Sequence, residues 1–472
     1  MNPINKYIFT FLGLMMSCVY YAQNTDTLSF EQFINQVGNY HPVAKQSALI
    51  PTAGDEELKA ARGGFDPRVY GSFNTKELDE SVYYNKQEAG IKLPTFGGIE
   101  LDANYERNSG NYLNPEVTNT AGLLSAGIQL NLGRDLFIDQ RRAALRQAQF
   151  FAEQSKEEQK QMLNKLFEQS AQAYWSWAQA QANVNVLEKG VELAFERFEA
   201  VKESFRLGDL PGIDTVEAYT QVQAIQDRYL KAQNNLYMYR QELITYLWDE
   251  DLNPLEINDN IYPQNLKATQ NLEPANKEEY INLLEAHPAL KIQDYQIKQA
   301  EVDRRFKADR LKPKVFVKYN YLTEETGTVP EAALLTNNYK LGFGVSSSLF
   351  LRRERGRLNV ADLNLKEQRF RRTDTHALLK ANLQNTLNTY ENTIDRLTIF
   401  KSNVINLERL LLAEQTRFEM GESSLFLINS REIRYIEAQT ILNILHSEAL
   451  INFAQLKSAS GTAWKAFLNN EN

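Results

Sequence analysis

Hydrophobic residues in this chain follow two different periods. From Arg134 to Lys189, and again from Leu358 to Met420, there is neither glycine nor proline. Apolar positions there step by four and three: Leu163, Phe167, Tyr174 and Trp177, with Ser170 as one polar break, and Leu383, Leu387, Tyr390, Ile394 and Leu397. This is the seam spacing of coiled coils, and the opposite faces, rich in Gln, Asn, Glu and Lys, are wet. The second stretch alone could form roughly 95 Å of helix at ~1.5 Å per residue. Ahead of each long stretch the period drops to two. VFVKYNY sets Val315, Val317, Tyr319 and Tyr321 against Phe316, Lys318 and Asn320, and YKLGFGVSS sets Tyr339, Leu341, Phe343 and Val345 against Lys340, Gly342, Gly344 and Ser346. LLSAGIQLNL and GIELDANYER alternate in the same way, and the acidic face of the latter, Glu100, Asp102 and Glu106, would line water. Such strands fit a transmembrane β-barrel or a half-buried soluble sheet. The strand pattern by itself favours the sheet.

These periods occur twice in one order. His41-Pro42 and His287-Pro288 each stand between two helical patterns, and Pro67 and Pro313 each precede the strands. His-to-Pro spacing is the same in both copies (67 − 41 = 26; 313 − 287 = 26). A third landmark is FRLGDLPGIDTVEA (205–218) against FEMGESSLFLINSR (418–431), whose glycines lie 213 residues apart (421 − 208). The distance from Pro to this glycine differs, 141 against 108, so the first copy carries about 33 extra residues. They fall around Tyr84–Asn111 and read as an extra hairpin or a long extracellular loop. The organisation expected is a first repeat over 23–250, a linker at 251–276 with three prolines, a second repeat over 277–460 and a tail at 461–472.

A long helix has to end and return, and Gly208 and Gly421 are the breaks available. Glycine supplies the left-handed cap at a helix C-terminus. Asp209 or Asp214, and Ser423 or Ser424, can cap the returning helices. Each repeat is then a short helix, strands, a long helix, a tip and a returning helix.

Composition changes this picture in three places. MNPINKYIFTFLGLMMSCVYYAQ has the basic start, apolar run and small-residue site of a secretory signal, with cleavage after Ala22 expected. The alternatives are acylation of Cys18, the sole cysteine, and a buried N-terminal helix. No later stretch reaches the ~18 apolar residues of a membrane helix, so membrane passage would have to be by β-strands. The net charge of −8 argues against nucleic-acid binding. Four histidines without metal-ligand spacing, and the lack of a Gly-rich phosphate loop or nucleophile elbow, point to no enzyme and no cofactor. Arg134, Arg141, Arg142, Arg352, Arg353, Arg355 and Arg357 gather where strand turns to helix, as a basic girdle or a solvated helix face.

The ordered duplication of His-Pro, Pro, LFIDQRRAALRQAQ or LFLRRERGRLNVADL, and the Phe-x-x-Gly tips resembles the TolC-type outer-membrane efflux and secretion channels. That resemblance covers essentially the whole mature chain. It implies a mainly α fold with β: duplicated long coiled-coil hairpins, and four strands per subunit in a β-barrel shared by a homotrimer. It also implies an outer-membrane location with helices in the periplasm, tips docked on a periplasmic adaptor, and an inner-membrane pump reached through that adaptor. Docking residues would be Arg206, Leu207, Gly208, Met420, Gly421 and Glu422. The family's aperture residues, six and nine positions after the tip glycine, fall on Asp214 and Glu217 in the first tip. In the second they fall on Leu427 and Ser430, where the acidic ring is missing; Leu425 and Leu427 could form an apolar ring instead. For Asp214 a plain helix cap weighs equally. The expected function is a passive exit duct for small molecules. A secretion duct for polypeptides and a soluble periplasmic coiled-coil adaptor are the alternatives.

Overall fold

A computed structural model describes residues 27–113, 116–258, 260–266, 275–324 and 338–468. The expected signal segment with Cys18, part of the linker (259 and 267–274) and residues 469–472 of the tail lie outside the described residues. In chain order the main elements are β1 (Thr27–Leu28), α1 (Phe30–Tyr40), α2 (Pro42–Arg62), β2 (Arg68–Leu78), β3 (Ser81–Pro94), β4 (Ile99–Ser109), β5 (Leu123–Asn131), α3 (Gln140–Leu207) and α4 (Gly212–Ile244). There follow β6 (Tyr262–Pro263), α5 (Lys277–Asn282), α6 (Pro288–Asp309), β7 (Lys314–Thr323), β8 (Tyr339–Ser346), α7 (Arg352–Glu419), α8 (Leu425–Ala459) and α9 (Lys465–Leu468). The two long helices, α3 and α7, have 68 residues each.

The chain divides into two compact units, and each draws on both halves of the sequence. One contains the residues up to Ser47, Lys160–His287, and Leu378 onward; the other contains Ala48–Gln159 and Pro288–Ala377.

In the first unit both anticipated seams are buried. Leu163, Phe167, Tyr174 and Trp177 join Phe33, Val37 and Leu243 in the largest apolar cluster, while Leu383, Leu387 and Tyr390 pack with Leu456. The polar break, Ser170, is satisfied within its own helix by donating to the Phe167 carbonyl at 3.1 Å. Gly190 does not interrupt α3. A Cβ there would lie 2.9 Å from Ile436 Cδ1, so the missing side chain lets α3 approach α8 closely. In the described part of the linker, β6 pairs in parallel with β1, and Ile257 and Leu266 are buried.

Both His-Pro steps are helix junctions. Proline at the first helical position needs no N–H, and the residue before it is driven out of helix. His41 caps α1, its Nδ1 accepts from the Val43 N–H at 3.1 Å, and its ring bonds the backbone of Thr245. His287 bonds the backbone of Ser458. Thr245 and Ser458 are themselves repeat partners at the tip offset (458 − 245 = 213). Each half thus fastens its helix junction to the end of its own returning helix. Burial pushes both imidazoles below their ordinary pKa, against the backbone bonds to Thr245 and Ser458, which pull the other way.

In the second unit the strands form one antiparallel sheet in the order β2-β3-β4-β5-β7-β8. The resemblance implied four barrel strands per subunit; among the described residues this sheet has six. The extra pair is β3–β4, so the added residues of the first repeat are a hairpin and not a loop. This hairpin is inserted in the middle of the sheet, paired to β2 on one side and β5 on the other. Apart from a β-bulge between Lys76 and Glu77, the ladders keep one register. One row of cross-strand partners reads Val69, Ile91, Ala103, Ala126, Tyr321 and Tyr339. Its neighbour on the opposite face reads Arg68, Lys92, Asp102, Gly127, Asn320 and Lys340.

Candidate functional site

The tips are built alike. Gly208 has φ +88° and Gly421 φ +75°, in the left-handed region. Gly208 N–H bonds the Phe205 carbonyl at 3.0 Å and Asp209 N–H that of Ser204 at 2.9 Å. Gly421 N–H bonds Phe418 at 2.9 Å and Glu422 N–H bonds Arg417 at 2.8 Å. Both are Schellman motifs, and the shared Phe-x-x-Gly is the fragment that makes them. Nothing lies within 4 Å of a Cβ built at either glycine, so conformation and not space demands glycine. Replacing either by alanine is expected to cost about 1–2 kcal/mol, and asparagine less. Amide hydrogen exchange over 200–220 and 413–433 reads this directly.

The returning helices start differently from expectation. Pro211 holds the N-cap position of α4, and Asp214 lies inside the first turn. Ser424 is the N-cap of α8 without a side-chain cap bond, whereas Ser423 donates to Glu414 Oε1 at 2.6 Å. This hydroxyl, followed by the Arg417 and Arg431 charges, holds the Glu414 carboxyl below its usual range. The repeat partners of Glu414, Ser423 and Arg431 are Val201, Leu210 and Ala218 (each less 213). Those three pack together in an apolar cluster with Leu425 and Phe418. The first tip is therefore stapled by hydrocarbon and the second by a carboxylate.

The aperture candidates separate on this frame. Leu425 is 3% exposed in that cluster and cannot line a ring alongside Leu427, which is 40% exposed. The reason is that Leu425 fastens the second tip to the first. Glu217 and Ser430 come together on the walls of one groove of about 640 Å³ between α4 and α8, with Ile213, Val216, Phe426 and Arg434. Asp214 is half-buried beside it in sequence. Among docking candidates, Leu207 and Met420 are 63% and 68% exposed, and Arg206 pairs with Glu203 at 2.6 Å. Ile213, Val216 and Phe426, not among the expected site residues, are also strongly exposed. Their apolar spacing on the face opposite the seam was the available signal. Higher up, Arg197 on α3 makes a two-pronged ion pair with Glu432 on α8, at 2.7 and 2.8 Å, with Asn429 beside it.

In the sheet, the wet face is a linked polar network. Lys318 Nζ and Asn320 Nδ2 both reach Asp102, at 3.0 and 3.1 Å, across the intervening strand β5. Gly127 occupies the crossing point, where any side chain would strike Asn320. Tyr70 donates to Glu88 at 3.1 Å and Asn104 to the same carboxylate at 3.0 Å. Where strand becomes helix, Arg142 is buried, and it bonds the carbonyls of Asp135 and Leu136 and the Asp139 carboxylate. It locks the turn and belongs neither to a girdle nor to a solvated face. Arg141 pairs with Glu100 at 3.4 Å. No cluster of metal-ligating side chains is found among the described residues, and none of their helices is long and apolar enough to cross a membrane.

Residues 91–247 match the outer membrane efflux protein family. No curated protein matches the chain. Among solved structures, the fold is similar to the outer-membrane channel OprN, with TM-score 0.67 and 15% identity over 92% of this chain and 90% of that one. It is similar to the Neisseria gonorrhoeae MtrE outer-membrane channel in its open state, with TM-score 0.63 and 15% identity over 92% and 89%. For VceC, an outer-membrane protein of Vibrio cholerae, the values are 0.62 and 14% over 91% and 95%. Residues 91–247 are thus similar to the outer membrane efflux protein family, and the described chain shares the fold of these outer-membrane channels.

Proposed function

We propose that this chain is the outer-membrane channel of a tripartite efflux system, a homotrimeric, passive exit duct for small molecules. The observation that carries the reading is the sheet: one face apolar along the rows through Ile91 and Leu93 and the other a connected polar network, over strands of 8 to 14 residues. Lipid outside and water inside is the environment that such a sheet fits. The tips supply the docking part of the function. Leu207 and Met420 stand exposed beside the tip glycines, with Arg206 and Glu422, and form the docking surface for a periplasmic adaptor. The adaptor couples the duct to an inner-membrane pump, where the energy is spent; the duct does no chemistry.

The aperture is assigned to Asp214, Glu217, Leu427 and Ser430. With no acid at 427 or 430, the second tip constricts by dewetting at Leu427. Leu427→Ser is expected to raise single-channel conductance in planar bilayers, and an unchanged conductance contradicts this gate. Docking is tested by Leu207→Glu with Met420→Glu in cells that depend on the duct. Loss of efflux of a fluorescent amphiphile, with the assembled protein still present in the outer membrane, is the expected outcome. Full efflux would place docking elsewhere.

A further inference from the structure

We infer that the wall of this channel has 18 β-strands, six from each of three copies. The inference rests on the trimeric channel reading above and adds the count and the seam. The expected family arrangement is four strands per copy. Here the inserted hairpin β3–β4 is not an appendage at a sheet edge. It separates β2 from β5, and its ladders to β2, within itself and to β5 run over 11, 10 and 8 residue pairs. To build a wall of four strands per copy, both outer ladders would have to break and β2 and β5 re-pair.

The hairpin also carries the wall's chemistry. Ile91 and Ala103 continue the apolar row from Val69 to Ala126, while Lys92 and Asp102 continue the polar row behind it. Asp102 is moreover bonded to Lys318 of β7, so the inserted pair shares the wet network of the strands around it. A loop lying outside the wall would need no such alternation.

Six strands cannot close alone, since the smallest membrane barrels have about eight. Among the described residues the unpaired edges of the sheet are those of β2 and β8. In hydrocarbon a row of unpaired backbone groups is untenable, so each edge needs a strand. Because six is even, β8 runs opposite to β2, and β8 of one copy can pair antiparallel with β2 of the next. At about 4.8 Å between strands and a tilt near 40°, 18 strands enclose a backbone diameter of about 36 Å, against about 24 Å for 12. The outer mouth is then about 1.5 times wider, which leaves constriction to the tips.

Electron cryomicroscopy of the unaltered protein in lipid nanodiscs tests this by counting strands in cross-section. Eighteen strands over three protomers is the result expected. Twelve strands over three protomers, with residues 81–109 outside the wall, overturns the inference and leaves the channel reading standing. Any other number of protomers, or no barrel, overturns both. A second arm uses Leu101→Arg on β4, with Leu341→Arg on β8 as the reference. Both are expected to lower assembled protein in the outer membrane at least about tenfold, whereas normal assembly of Leu101→Arg alone contradicts the hairpin's place in lipid.

Discussion

Arg197→Ala is expected to destabilise the tip region by about 3–5 kcal/mol, the cost of leaving a buried charge without its partner. Glu432 is 3% exposed and Arg197 14%, and the guanidinium grips both carboxylate oxygens while also reaching Asn429. The pair ties the first long helix to the returning helix of the second repeat, so its loss loosens one hairpin from the other. Arg228–Glu437 is the useful contrast. It joins α4 to α8 at 3.0 Å, but its side chains are 41% and 51% exposed. Its removal should cost about 0–1 kcal/mol. Replacing Arg197 and Glu432 together by leucine should recover most of the loss, since buried pairs exchange for packed hydrocarbon at little net cost. Local opening free energies from amide exchange around Arg197 are the measurement, because a chain with a membrane sheet and long helices is unsuited to a single unfolding midpoint. Equal effects of Arg197→Ala and Arg228→Ala would contradict the role given to burial.

Ile128→Arg is expected to cost about 2–4 kcal/mol of folding free energy in a bilayer, as for arginine at the midplane of a lipid-facing strand. Ile128 is 50% exposed and lies in a row on one face with Leu101, Tyr319 and Leu341. Gln129, one residue on, faces the wet network beside Lys318, and Gln129→Arg should cost far less. Urea titration of folding into vesicles, read by the mobility shift of the folded barrel, separates the two. Equal costs would mean that both faces see the same solvent, as in a soluble sheet.

The helical seams and the tips were legible because each has a signal within one stretch of chain. The four–three period marks Leu383, Leu387, Tyr390 and Leu397, and the glycine after the uninterrupted run 358–420 marks a left-handed cap at Gly421, which the shared Phe-x-x-Gly carries over to Gly208. The inserted hairpin was open between strand and loop for a physical reason. Its outward positions include Asn85 and Gln87 as well as Ile91 and Leu93, so period two is blurred until the ladder partners are known. The burial of Leu425 was not legible either. It depends on packing against Val201 and Ala218 of the other repeat, more than 200 residues away. The same holds for Asp214, where a capping role was read from residue type. Pro211 starts the helix three residues earlier, and its φ of −73° already suits the turn that follows Gly208. The carboxylate staple at Glu414 could have been found by laying one repeat over the other at the tip offset, since Val201, Leu210 and Ala218 then stand opposite Glu414, Ser423 and Arg431.

The central claim is that this chain forms a water-filled path across the outer membrane. Current through a planar lipid bilayer, recorded after addition of the purified protein, tests it most directly. Discrete conductance steps at both polarities, larger for Leu427→Ser, are the expected result. A chain that leaves cell envelopes without detergent and passes no current would contradict it.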